Sequence, residues 1–186
     1  LREYGDDARS VGWRDLDTQA KRFDAIAGVA PLEGKSILDL GCGLGHFYQF
    51  LKARGWSGSY TGWDLSSEMV ARCREKFPDA RFAQADILAR PGEKEFDIIC
   101  GSGLFCIPLD DDSFYNKIIA RMYEMCREAI AFNCIRSYVD FREDYLRYAD
   151  PREMFDFCKR LLSRFVALRH DYMPFEFTIY AYRKEG

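Results

Sequence analysis

The sequence has no apolar run approaching the roughly 18 to 20 residues that a bilayer-spanning helix needs, so no membrane partner is expected. Its first residues, LREYGDDARS, lack the basic start and the apolar stretch of a secretory signal. The expectation is a soluble, cytoplasmic protein. Histidine is scarce, at two residues, and the seven cysteines form no C-x-x-C pair. No zinc site is therefore expected, and the metal assignment is none. An odd number of thiols, several of them in apolar runs such as FDIICGSGLFC, reads as reduced and mostly buried. No window gathers the Lys/Arg density of a phosphate-tracking surface and the net charge is −3, which argues against nucleic acid as a partner. One or two well-placed arginines would still suffice for a small acidic substrate.

What is present is a chain of 186 residues, 48% hydrophobic and 16% aromatic, which is enough for one core and a single domain over residues 1–186. From Gly34 to Phe132, apolar β-branched runs alternate with helix-period stretches. That pattern predicts an α/β fold, a parallel sheet with helices on both faces. Strands are predicted at Ser36–Leu40, Ser59–Trp63, Arg81–Ala85, Phe96–Gly101 and Ala129–Asn133, with helices near Gly45–Arg54, Ser66–Lys76 and Asp112–Cys126. FVALRHDY and FEFTIYAYR, joined through Met173 and Pro174, are too close in sequence to be anything but antiparallel neighbours. Before the first strand, RDLDTQAKRFDAIAGVA has helical spacing and forms an N-terminal cover over residues 1–33. Residues 34–135 are then the core, and 136–186 an acceptor-side segment with the terminal hairpin. The run Asp110-Asp111-Asp112-Ser113 places acidic groups where a helix begins; helix capping and a metal site are the alternatives there.

Strand Ile37–Leu40 runs into Gly41-Cys42-Gly43-Leu44-Gly45, a turn that needs positive φ at the carboxyl end of a central strand, where open α/β sheets bind ligands. The turn alone does not choose a cofactor. Its spacing is G-x-G-x-G, and His46 stands where a dinucleotide fingerprint would put its third glycine, which weakens an NAD-dependent oxidoreductase reading. Asp39, just before the turn, has no task beside an anionic pyrophosphate but suits a ligand with a positive amino group. Asp64 closes the next strand 25 positions later and can accept from both ribose hydroxyls. Asp86 ends the third strand, where it could accept from an adenine amine beside Ala85 and Ile87. Helix capping is the structural alternative for each aspartate.

In the segments ILDLGCGLGHF, YTGWDLSSEM, RFAQADIL and FDIICGSGLF, in this order and spacing, the sequence resembles the class I S-adenosylmethionine-dependent methyltransferases over about residues 34–135. The resemblance implies a Rossmann-like seven-stranded mixed sheet ordered 3-2-1-4-5-7-6, with a reversed last strand. It implies S-adenosylmethionine as cofactor and S-adenosylhomocysteine as product. By position, Asp39 and the turn Gly41, Cys42, Gly43 and Gly45 would lie at the methionine moiety, Asp64 at the ribose, Asp86 and Ile87 at the adenine, and Ser102, Gly103 and Phe105 beneath the sulfonium. His46, Leu65, Met69, Trp13 and Arg22 complete the expected cofactor set, with Tyr4 and Gln19 as further residues of the cover.

Methyl transfer is an in-line displacement that positioning can drive, with a base needed only when the acceptor has a proton to lose. His170 is the base candidate, because its ordinary pKa lies near neutrality; a strand histidine satisfied by a neighbour is the alternative. The turn CGSGLFCIP lacks the Asn/Asp-Pro-Pro-aromatic motif of enzymes that methylate nucleobase or certain protein amines, and no double-Glu hairpin is present. The acceptor is then expected to be a small metabolite, sugar or glycan precursor. Phe105, Arg136, Tyr138, Tyr172 and Glu176 are the substrate candidates. The segment Arg136–Asp150 reads either as a substrate lid or as an amphipathic helix. The protein is expected to be a monomer or weak homodimer, with a methyltransferase-like scaffold subunit as the non-catalytic alternative.

Overall fold

The computed structural model describes residues 16–109 and 111–183; Tyr4, Trp13 and Asp110 lie outside them. The element order is α1 (Leu16–Ala27), β1 (Ser36–Leu40), α2 (His46–Ala53), β2 (Ser59–Asp64), α3 (Ser67–Lys76), β3 (Arg81–Gln84), β4 (Phe96–Gly101), α4 (Ser113–Met125), β5 (Cys126–Arg136), β6 (Tyr148–Ala149), α5 (Pro151–Phe157), β7 (Phe165–Met173) and β8 (Glu176–Tyr182). The sheet runs β3-β2-β1-β4-β5-β8-β7, with the short β6 pairing beside the end of β5. β1 to β5 are parallel, and β8 is antiparallel to both β5 and β7. This is the expected seven-strand order once β6 is set aside.

Period-two alternation sorts the strand side chains onto two apolar layers. Leu38, Ile99, Phe132, Phe177 and Ile179 meet Tyr115, Ile119 and Met122 of α4 and Met154 of α5 on one face. Ile37, Ile98, Ala131 and Tyr180 meet Phe23 and Ile26 of α1 and Phe47, Tyr48 and Leu51 of α2 on the other. All seven cysteines are buried and unbridged, since thiols in apolar strands and helix faces behave as small hydrophobes.

Beyond β5 the structure departs from the helical reading. Residues 137–147 form an irregular loop and not the amphipathic helix that is one of the two readings. Arg147 holds it down: its backbone N–H donates to Cys106 O (2.9 Å), its Nε donates to Asp112 Oδ1 (2.8 Å), and its guanidinium lies 3.9 Å from the Tyr115 ring centroid. Asp112 is thereby committed to Arg147, while Asp111 accepts from Ser113 N and Oγ at the start of α4. Capping and bracing account for both carboxylates, and no cluster of three His, Cys, Asp or Glu able to hold a metal occurs among the described residues.

Candidate active site

The glycine turn leaves β1 with three left-handed residues, Gly41 (φ +72°), Gly43 (φ +53°) and Gly45 (φ +74°). Only glycine adopts this run without strain. At the last of them a Cβ would sit 2.8 Å from the Phe77 ring, so the turn is also closed sterically. The path brings the backbone across the ends of β1 and β2, where the Gly41 and Cys42 N–H groups both donate to Trp63 O.

Asp64 ties this turn to the next strand. Its Oδ2 accepts from Gly43 N (2.9 Å) and its Oδ1 from Ser66 N (2.8 Å), while Ser66 Oγ caps α3 by accepting from Met69 N (3.3 Å). Asp86 accepts from Leu88 N (2.9 Å) after β3, beside the buried Ile87. Asp86 is therefore a cap, whereas Asp64 braces the glycine turn and leaves the capping of α3 to Ser66; both carboxylates stand at or just past the carboxyl ends of adjacent parallel strands. Leu65, 71% exposed, and Met69, half-buried, border Asp64.

Asp39 is different. It is buried, and its Oδ2 accepts from the Tyr60 hydroxyl (2.5 Å), its only hydrogen-bond partner among the described residues. Burial raises its carboxyl to about 7, against the lowering effect of Tyr60 and with a further push from Asp64. A buried, poorly compensated carboxylate at the mouth of a backbone turn suits a cationic partner. The chemistry of the cofactor that the fold implies is compatible with these groups: three glycines allow close backbone approach, and two carboxylates offer acceptors to an ammonium and to hydroxyls.

On the far side of the turn, α1 covers the strand ends. Gln19 Nε2 lies 3.3 Å from His46 Nδ1, linking the cover to the start of α2. Arg22 and Glu176 form a buried two-pronged ion pair, with Nε to Oε2 at 2.5 Å and Nη2 to Oε1 as the second contact. Arg22, expected at the cofactor, and Glu176, expected at the substrate, thus spend their charges on one another. Tyr172, close enough to feel both charges, lies with its hydroxyl 2.9 Å from Thr178 Oγ1.

Two expectations need correction. Phe105 is fully buried, 4.9 Å from the Phe132 ring and 6.2 Å from that of Tyr115, and belongs to the core instead of walling an open methyl site. His170 lies on β7, three strand positions from β4 and so about 14 Å from it at the usual strand spacing. Its ring packs against Phe177 at 6.3 Å. That separation is too great for direct proton transfer at the end of β4. Tyr138 is on the exposed loop with its hydroxyl 3.3 Å from Asp150, and Arg136 ends β5.

The residue that sequence reasoning missed is Asn133. It is fully buried in β5; its Oδ1 accepts from Gly103 N (2.9 Å) and its Nδ2 donates to Ser102 Oγ (3.4 Å). The signal was one amide side chain in the otherwise apolar run AIAFNCI. Asn133 fixes the turn after β4, where Gly103 is again left-handed at φ +84°.

Comparison with known proteins bears on the family and the fold. A family model described as methyltransferase domain matches residues 37–129. A protein of Mycobacterium tuberculosis named as a methyltransferase is 42% identical over 152 residues, 77% of this chain and 90% of its own length. Trans-aconitate 2-methyltransferase of Afipia carboxidovorans is 32% identical over 82 residues, which is 44% of this chain but only 32% of that enzyme. Among solved structures, magnesium protoporphyrin IX methyltransferase from Synechocystis PCC 6803 with bound S-adenosylhomocysteine superposes with a TM-score of 0.69 at 12% identity. That match covers 95% of this chain and 92% of the other. The chain therefore belongs to the methyltransferase domain family, with the class I, S-adenosylmethionine-dependent architecture.

Proposed function

We propose that the protein transfers the methyl group of S-adenosylmethionine to an oxygen or nitrogen of a small acceptor, a metabolite, sugar or glycan precursor. The observation that carries this reading is the alignment of Asp39, Asp64 and Asp86 at the ends of three adjacent parallel strands, around a turn of three left-handed glycines. When bound, the cofactor supplies a sulfonium-activated methyl group. The chain's own residues supply position. Asp39 receives the amino group, the carboxylate of Asp64 the ribose hydroxyls, and Asp86 with Ile87 the adenine.

The turn after β4 then forms the floor next to the methyl group. Ser102 and Gly103 are held there by the Asn133 side chain. In-line attack requires the acceptor and methyl to be held a few ångströms apart and aligned, so a rigid floor contributes directly to rate. With His170 distant, the reading assigns no protein base, and proton loss goes to water or to the acceptor's own groups.

Formation of S-adenosylhomocysteine by the isolated protein, measured across a panel of hydroxylated and aminated metabolites, tests this. Sustained turnover on one panel member supports it. Failure of the folded protein to bind S-adenosylmethionine at millimolar concentration contradicts it.

A further inference from the structure

We propose that Arg136 is an anion anchor at the mouth of the acceptor site, and that the molecule it receives carries an oxyanion, either carboxylate or phosphate. The inference rests on the methyl-transfer reading for the identity of that molecule as acceptor. Its physical basis is separate.

Arg136 is the last residue of β5, three positions beyond Asn133 and so about 10 Å along the strand from the floor that Asn133 supports. Its backbone is fixed by the hydrogen bond from Arg136 N to Phe175 O (2.9 Å), and its guanidinium lies 5.5 Å from the Phe175 ring centroid. Yet Nε is buried without a hydrogen-bond partner, and the guanidinium makes no ion pair among the described residues. A buried charged donor with nothing to donate to is rare in a folded protein and calls for a partner.

The protein does not supply one, although two carboxylates are adjacent in the sheet. Glu176 pairs with Ile135, the neighbour of Arg136, but is engaged by Arg22. Asp150 follows Ala149, which pairs with Arg136, but accepts from Arg152 Nε and Nη2, Arg152 N and the Tyr138 hydroxyl. Arg147 is committed to Asp112, and Arg142 donates to Ser137 O. Each neighbouring arginine thus has an acceptor, whereas the buried Nε of Arg136 has none. A planar guanidinium steadied by an aromatic face presents two parallel donors, the geometry that carboxylate and phosphate accept bidentately. The half-exposed Phe175 ring shields one side of that contact from water and strengthens it.

The test uses the whole chain saturated with S-adenosylhomocysteine and labelled with 15N-arginine. Inorganic phosphate and, separately, succinate are titrated while the Arg136 Nε–H resonance is followed, assigned by its loss in Arg136→Gln. One of the two probes should move that resonance saturably, and the responding arm tells phosphate from carboxylate chemistry. Affinity for that probe, measured by calorimetry because the variant lacks the reporting resonance, should fall at least about tenfold in Arg136→Gln and stay unchanged in Arg142→Gln. A resonance indifferent to both probes, or equal affinity in Arg136→Gln, overturns the proposal. Calorimetric binding of S-adenosylhomocysteine is recorded on the same samples: retained binding with a silent Arg136 overturns the anchor alone, whereas no binding by the wild type overturns the methyl-transfer reading and the acceptor assignment with it.

Discussion

The Tyr60 hydroxyl donates a 2.5 Å hydrogen bond to Asp39 Oδ2 in a site closed to water. Burial nevertheless keeps the Asp39 carboxyl at about 7. Between about pH 4 and pH 7 the folded protein therefore holds a proton that the unfolded chain has released. The stability linked to it is complete below pH 4 and is lost as the pH rises through 7, at a cost of about 4 kcal/mol once the carboxylate is charged. Asp39→Asn should raise the melting temperature of the ligand-free protein at pH 8 more than at pH 5, and a difference independent of pH would refute the assignment.

The same ionisation governs binding. A cationic amino group favours the charged carboxylate, so affinity for S-adenosylhomocysteine should increase from pH 5.5 to about 7 and then level off. Tyr60→Phe removes the hydrogen bond that opposes the rise and should move this profile to higher pH. Calorimetry across that range, in buffers of different ionisation enthalpy, reads both the affinity and the proton release.

Gly45→Ala should destabilise the fold by about 2 kcal/mol, combining the left-handed backbone penalty with a Cβ forced against the Phe77 ring. Urea unfolding measures it.

Removing one member of the buried Arg22–Glu176 pair strands the other charge. Arg22→Met or Glu176→Leu alone should cost about 3–5 kcal/mol, and the double variant should recover most of it. Chemical denaturation of the three variants gives the coupling, and a double variant as unstable as either single would contradict the picture of a mutually neutralised pair.

Arg147→Met should release the loop without unfolding the domain. Amide hydrogen exchange in residues 137–147 should accelerate while the β1, β4 and β5 amides keep their protection. Uniform acceleration across the sheet would place Arg147 in the global core.

Much of this was legible in the sequence because the local signals agreed with one another. Ile37–Leu40 ending in a glycine turn, Asp64 and Asp86 after the next two strands, and a hairpin around Met173 and Pro174 indicate a parallel sheet with an antiparallel end, while the strand order itself comes from the resemblance to the class I methyltransferases. The cap at Asp150 with Pro151 at the first turn of α5 was equally readable and went unread. What lay beyond the sequence was pairing across it. Nothing local indicates that Arg22 meets Glu176, 154 positions away, or that Tyr60 reaches Asp39. His170 has the chemistry of a base, but strand order alone carries it to the sheet edge. Phe105 looked like a pocket wall because it follows a glycine-rich turn; the core claims it because Phe132 and Tyr115 offer it a fully apolar berth.

Asp64 bears the central claim, because the carboxylate proposed to receive the ribose also accepts from Gly43 N and Ser66 N and so sets the turn after β1. The direct measurement is isothermal titration of S-adenosylhomocysteine into the wild type and into Asp64→Ala. The account predicts one binding site per chain in the wild type and a loss of at least about 100-fold, some 2.7 kcal/mol, in the variant. No binding to the folded wild type, or an unchanged affinity in Asp64→Ala, would contradict it.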